Sequence, residues 1–210
     1  MTNKGNVLNT DIYAITAEEF SKERDNIEVV KEMLTAGIKV IQYREKHKSK
    51  REKLHQCQQI RQMTWEADCT MIVNDDIDIA LLTKADGVHV GQEDLPVEQV
   101  RKLVGDNMII GLSTHSPEQA HAALKSGADY IGVGPVFDTD TKEDVQKAVG
   151  LEYVEYVANN LNIPFTAIGG IKSHNIQQAK SKGASCFAMV TEIVGADNIQ
   201  DKIKEIRNLI

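Results

Sequence analysis

The chain has 210 residues, 41% of them apolar and 5% aromatic, which is enough for one domain with a full core or for two small ones. Its net charge of −7, from 31 acidic against 24 basic residues, argues against a nucleic-acid partner and leaves room for a phosphorylated small molecule held by local basic groups. No stretch approaches the roughly 20 apolar residues of a membrane span, and the polar start MTNKGNVLNTD lacks the apolar core of a signal peptide, so a cytoplasmic protein with no membrane partner is expected.

In chain order, short β-branched runs alternate with amphipathic patterns. Strands are predicted at Ile12–Ile15, Lys39–Tyr43, Thr70–Val73, Gly87–Val90, Met108–Leu112, Tyr130–Val133, Phe165–Ile168 and Cys186–Val190. Between them lie helical patterns, about eight in all, such as Asn26–Thr35, Arg51–Ala67, Pro117–Lys125, Leu151–Asn160, Asn175–Lys182 and Ile199–Asn208. Ser116 before Pro117 reads as a helix cap followed by a first-turn proline. A weak repeat marks the passage from helix to strand: Thr35-Ala-Gly-Ile, Lys84-Ala-Asp-Gly, Ser126-Gly-Ala-Asp and Lys182-Gly-Ala-Ser. Strict alternation of strand and helix indicates parallel βαβ units. A doubly wound open sheet often has a glycine-rich first turn, and none follows Ile15. No Gly/Ser/Pro-rich linker divides the chain. The expected fold is therefore a single α/β domain over residues 1–210, a (β/α)8 TIM barrel, with residues 1–10 as a polar N-terminal extension.

Active sites of such barrels gather at the carboxyl ends of the strands. After the second run stands Gln42-Tyr43-Arg44-Glu45-Lys46 (QYREK), in which Gln42, Arg44 and Lys46 share one side of an extended backbone. Two cations and an amide on one face suit a phosphorylated ligand, whereas a charged strand end entering a solvated loop would look the same. Asp75 and Asp94 end neighbouring strands. Together they suit Mg²⁺, which takes oxygen ligands and keeps waters for phosphate; separately, Asp75 could cap a helix and Asp94 close a turn before Pro96. Gly169-Gly170 after the seventh run lies where barrels commonly bind phosphate, although a tight turn also asks for glycine. The stretch from Gly134 to Lys142 is long enough to fold over a ligand or to be a plain surface loop.

Other residues carry less. Cys57, Cys69 and Cys186 are odd in number and lack metal-like spacing, so inert buried thiols are expected. His89 should point into the barrel or between layers. His47, His55, His121 and His174 read as exposed or helical. His115 lies on the active face, as a base or as a structural group. Trp65 reads as core or interface, and apolar positions on the outer helices are compatible with a homodimer.

The motifs QYREK (42–46), IVND (72–75), DGVHVGQEDLP (86–96), GLSTH (111–115), GADYIGVGPVFDTDTK (127–142), AIGGI (167–171) and MVTEI (189–193), in register through nearly the whole chain, resemble those of thiamine phosphate synthase. The resemblance implies a (β/α)8 transferase that joins 4-amino-2-methylpyrimidine-5-methyl diphosphate to a thiazole phosphate. Diphosphate would leave first, and the thiazole nitrogen would capture the pyrimidine-methyl cation. It further implies that Gln42, Tyr43, Arg44, Glu45 and Lys46, with Asn74, Ser113 and Lys142, hold the pyrimidine diphosphate. Thr139, Asp140, Thr141, Gly170, Val190 and Thr191 would hold the thiazole phosphate, and Asp75 and Asp94 would bind Mg²⁺.

The chain departs from the family pattern in two places. Asp138 stands where many relatives have proline, and Thr191-Glu192 where many have serine then alanine; each adds negative charge near an anionic site, Glu192 unless its side chain turns away. Among rivals, a thiazole tautomerase on the same barrel would need an acid or base such as His115 and no magnesium–diphosphate site. A non-catalytic sensor, or another phosphate-binding barrel, would leave the paired aspartates and QYREK unexplained.

Overall fold

The structure, a computed structural model, describes residues 7–139 and 147–210. Eight parallel strands close into a barrel in the order of the sequence: β1 (Ile12–Ile15), β2 (Val40–Tyr43), β3 (Thr70–Asn74), β4 (Gly87–Val90), β5 (Ile109–Thr114), β6 (Tyr130–Val133), β7 (Phe165–Ile168) and β8 (Phe187–Met189). The last strand pairs with the first, Tyr13 facing Ala188. Outside lie α1 (Asn26–Thr35), α2 (Lys50–Glu66), α3 (Ile77–Thr83), α4 (Val97–Val104), α5 (Pro117–Ser126), α6 (Gly150–Asn160), α7 (Ile176–Ser181), α8 (Thr191–Val194) and α9 (Ile199–Arg207).

Helix starts follow local chemistry. Asp25 with Glu28 and Ser49 with Glu52 form reciprocal capping boxes at α1 and α2. Ser116 accepts the Gln119 N–H ahead of Pro117, as the sequence predicts. Three helices not named individually from the sequence, α3, α4 and α8, are short and carry no side-chain cap.

Strand alternation sorts the core into two parts. Outward residues such as Ile12, Ile41, Met71, Val88 and Ile131 pack against the helices. Inward residues Tyr13, Ile15, Val40, Ile72, Ile109, Tyr130, Cys186 and Ala188 fill the barrel itself. Val7, only 3% exposed, joins that inner cluster with Leu8 beside it. The expected polar extension therefore ends early: its last apolar residues pack into the barrel interior, which must be filled at packed density. Trp65 is not core; it stands 70% exposed on α2 with the Arg61 guanidinium over its ring. All three cysteines are free and buried, with their thiols pushed up to about 12 chiefly by burial.

The amino-terminal rim is held by three acid–base ties. Asp86, ahead of β4, accepts the Met71 N–H at 2.8 Å and pairs with Arg61 at 2.7 Å. Asp129, ahead of β6, accepts the Ile110 N–H at 2.8 Å and pairs with Arg101 at 2.6 Å. Asp11, ahead of β1, pairs with Arg207 of the last helix at 2.7 Å. Two of the four repeated junctions thus carry an aspartate that ties a helix to a neighbouring strand. Asp86→Ala should lower stability by about 3 kcal/mol, since it leaves Arg61 and a strand N–H buried without a partner; urea unfolding with an unshifted midpoint would contradict this.

Candidate active site

A cavity of about 420 Å³ opens at the carboxyl ends of the strands. It gathers predicted residues from widely separated parts of the chain: Gln42, Arg44 and Asn74 on one side, Ser113 and Thr139 on another, and Gly170, Val190 and Thr191 on a third. Alternation explains the selection on β2. Gln42 and Arg44 turn inward, while Tyr43 turns out and donates its hydroxyl proton to Gln56 of α2 at 2.8 Å. Glu45 also faces away, accepting from the Glu18 N–H at 2.9 Å and from Asn26 at 2.7 Å. Tyr43 and Glu45 are thus scaffold to the segment and do not line the cavity, a correction that follows from the strand's period of two. Asp140, Thr141 and Lys142 lie outside the described residues.

Arg44 is 8% exposed, and its backbone is fixed by the Thr16 hydroxyl, which accepts the Arg44 N–H at 2.9 Å. Among the described residues its guanidinium has no carboxylate partner. A buried cation in that condition is costly unless an anion completes it, so the cavity is built for a negatively charged ligand.

Beside it, Lys46 Nζ lies 2.6 Å from Asp75 Oδ2. Asp75 has a left-handed backbone (φ 58°), and its N–H donates to the His89 carbonyl at 2.9 Å, which fixes the turn after β3. It is not the helix cap: the next residue, Asp76, holds that position, and its carboxylate goes to Lys50 and Lys53. Asp94 accepts the Gly91 N–H at 2.7 Å. Burial, and then the nearby Asp75 carboxylate, push Asp94 up from the ordinary aspartate range. Two adjacent carboxylates whose charges repel suit a hard cation. No group of three or more His, Cys, Asp or Glu able to hold a metal occurs among the described residues. Ligand and water oxygens would therefore complete the shell, which is how Mg²⁺ is usually held with phosphates, and the pair fits that ion.

Gly169 and Gly170 have φ of 93° and 63°. A Cβ on Gly170 would lie 2.5 Å from the Asp138 carbonyl, and one on Gly169 would lie 2.4 Å from Pro135. Both glycines are thus required by close packing against the segment after β6, in addition to any ligand. Glu192 lines the cavity but turns aside: its carboxylate accepts the Ser173 N–H at 3.1 Å and the Ser173 hydroxyl at 2.9 Å, with Lys202 3.8 Å away. His115 Nδ1 donates to the Gly134 carbonyl at 2.5 Å, a structural tie. His89 lies in the barrel, within 2.9 Å of both Tyr130 and Ser113. Tyr13 and His89 line the cavity, with Tyr130 buried between them, and all three lie outside the predicted set. Their inward parity was readable, but their meeting across the barrel was not.

Fold and site together define a (β/α)8 barrel with a polar cavity, one buried cation on its wall, at the carboxyl-terminal mouth. The sequence model of the thiamine monophosphate synthase family matches residues 12–193. The thiamine-phosphate synthase of Pelotomaculum thermopropionicum is 61% identical over 97% of this chain and 94% of its own length. That of Lawsonia intracellularis is 54% identical over 98% and 95%. The solved thiamine phosphate pyrophosphorylase from Pyrococcus furiosus superposes with a TM-score of 0.89 at 35% identity, covering 99% of this chain and 97% of that one. The chain belongs to the thiamine monophosphate synthase family, and its activity is the group transfer of that family. No helix among the described residues is long and apolar enough to cross a membrane.

The Glu192 tie leads to a direct expectation. Glu192→Ala should speed hydrogen exchange of the Ser173 amide about tenfold, because that N–H loses its acceptor; unchanged protection would show that the carboxylate does not hold this loop.

Proposed function

We propose that the synthase reaction runs at this mouth by a dissociative, magnesium-assisted route. The observation that carries this reading is the buried Arg44 guanidinium, which faces the cavity without a carboxylate partner among the described residues. The bond between the pyrimidine methylene carbon and the bridging diphosphate oxygen breaks, and its electron pair leaves with the diphosphate. The ring's exocyclic amine donates electrons to the resulting cation. The thiazole nitrogen then attacks the methylene carbon, and the new C–N bond completes thiamine phosphate. No general base is needed to form the cation, which accords with a His115 already engaged by Gly134.

Arg44 and Lys46 bind the diphosphate oxygens, and Asn74 adds a polar side chain beside them. Gln42 and Ser113 orient the pyrimidine ring. Thr139, Gly170, Val190 and Thr191 receive the thiazole phosphate on the far wall, which is supported by their shared cavity. Lys142, outside the described residues, would add its charge to the diphosphate site, and Asp140 and Thr141 would belong to the thiazole site. Asp75 and Asp94 would hold Mg²⁺, which supplies positive charge to the departing diphosphate. Lys46 is shared between Asp75 and the leaving group. Water is kept from the cation by the barrel wall and the segment from Pro135 to Thr139. The reading includes a cytoplasmic setting, supported by three free buried thiols. It also includes a homodimer, supported by exposed Leu81, Leu82 and Leu103 on the outer helices.

The test is to incubate the protein with both substrates, with and without Mg²⁺, and to measure product by conversion to fluorescent thiochrome phosphate. Metal-dependent product is expected; equal product in EDTA would remove the magnesium assignment. Arg44→Met should lower kcat/KM for the pyrimidine diphosphate about 10²- to 10³-fold, with little change in KM for the thiazole phosphate. Asp94→Asn keeps an acceptor for the Gly91 N–H, so it should preserve the circular-dichroism spectrum while abolishing the response of rate to Mg²⁺.

A further inference from the structure

A continuous chain of hydrogen bonds crosses the barrel beneath the cavity. Gln42 of β2 donates from Nε2 to the Tyr13 hydroxyl of β1 at 2.8 Å. Tyr13 and Tyr130 of β6 meet hydroxyl to hydroxyl at 2.7 Å. Tyr130 meets His89 Nδ1 of β4 at 2.9 Å, and His89 Nε2 meets Ser113 Oγ of β5 at 2.9 Å. Five strands thus share one chain, and its two ends, Gln42 and Ser113, line the cavity. Space for the crossing is reserved at Gly111, where a Cβ would fall 2.2 Å from the Tyr130 ring and 2.5 Å from His89. Burial pushes both phenols well above their ordinary range, so each keeps its proton.

Each hydroxyl has one proton to give, so the direction at one end fixes the direction at the other. With Gln42 donating to Tyr13, the arrangement that uses every hydroxyl proton has Tyr13 donating to Tyr130. Tyr130 in turn donates to His89 Nδ1. A neutral imidazole then carries its proton on Nε2 and donates to Ser113. The Ser113 hydroxyl proton and the Gln42 carbonyl are what remain for the ligand: a donor at one end of the chain and an acceptor at the other.

We infer that Tyr13, Tyr130 and His89 are positioning residues that set the hydrogen-bond polarity of Gln42 and Ser113, and so select an aminopyrimidine over its oxo counterpart. This rests on the placement of the pyrimidine in this cavity. An aminopyrimidine offers a ring nitrogen as acceptor and an exocyclic amine as donor, the complement of the two ends. A 4-oxo ring presents a carbonyl where the amine would be, and two acceptors then face each other. A polar site whose partners cannot turn rejects such an analogue strongly.

The experiment uses the monophosphates of the 4-amino and 4-oxo forms of 2-methylpyrimidine-5-methanol, which lack the diphosphate leaving group. Each is measured as a competitive inhibitor against the pyrimidine diphosphate, with the unaltered enzyme, Tyr130→Phe and Tyr13→Phe. The unaltered enzyme should prefer the amino form by at least about tenfold. Either variant should bring the ratio of inhibition constants towards one, because a freed Gln42 or Ser113 can rotate to suit the oxo ring. The KM for the thiazole phosphate should not change. Tyr13→Phe removes only the first link, so it remains informative if Tyr130→Phe does not fold. Competition by the amino form with a ratio unchanged in the variants would overturn the relay alone. Absence of competition by either monophosphate in the unaltered enzyme would overturn the placement of the ring, and the relay with it.

Discussion

Closure of eight parallel strands forces every second side chain into a space with no solvent outlet at its lower end, and the rest of the molecule follows from how that space is filled. The lower part is apolar: Val40, Ile72, Ile109 and Cys186 meet there, with Val7 added from the N-terminal segment. The floor is polar but internally satisfied, through Tyr13, Tyr130 and His89. Only above that floor do inward residues keep unspent hydrogen-bonding capacity. The ligand cavity is thus what remains when the filling stops.

The two rims treat charge in opposite ways. On the amino-terminal side, Asp11, Asp86 and Asp129 each meet an arginine and a backbone N–H, so charge is neutralised in place. On the carboxyl-terminal side, Arg44 is buried with no acidic partner among the described residues, and Asp94 sits beside an Asp75 carboxylate that Lys46 already pairs. Charges left uncompensated in the fold are worth their cost only where a ligand and a metal supply the balance. The contrast separates groups that hold the barrel from groups that serve the reaction, even though all are charged residues at strand ends.

The barrel was legible because its signal is local and repeated: eight β-branched runs, each bounded by turn residues. The inward choice of Gln42 and Arg44 was legible for the same reason, whereas Lys46 lies past the strand end, exposed and paired with Asp75. Tyr43 and Glu45 were grouped with the site because a contiguous motif names residues by adjacency, whereas a strand assigns them by parity. The helices α3, α4 and α8 follow from the alternation but were not bounded individually, each being short and without a side-chain cap. The crossing from Gln42 to Ser113 joins residues up to 117 positions apart, Tyr13 and Tyr130, and no window along the chain contains both. Of the two readings of Trp65, core or interface, its exposure with Arg61 over the ring removes the first.

The two added acids near the thiazole wall need not weaken it equally. Glu192 is already committed: Ser173 donates to it twice, and Lys202 stands on the same oxygen's side. A carboxylate so engaged directs its charge towards donors behind the wall, and it fixes the loop after β7 from which Gly170 meets the cavity. Asp138 has a different position, exposed beside the cavity, with its carbonyl against Gly170. Its backbone, not its carboxylate, is what the turn requires. Any loss of affinity for an anionic thiazole therefore falls on the Asp138 side chain, which can stay in solvent, and not on Glu192, whose removal would free the loop that shapes the site.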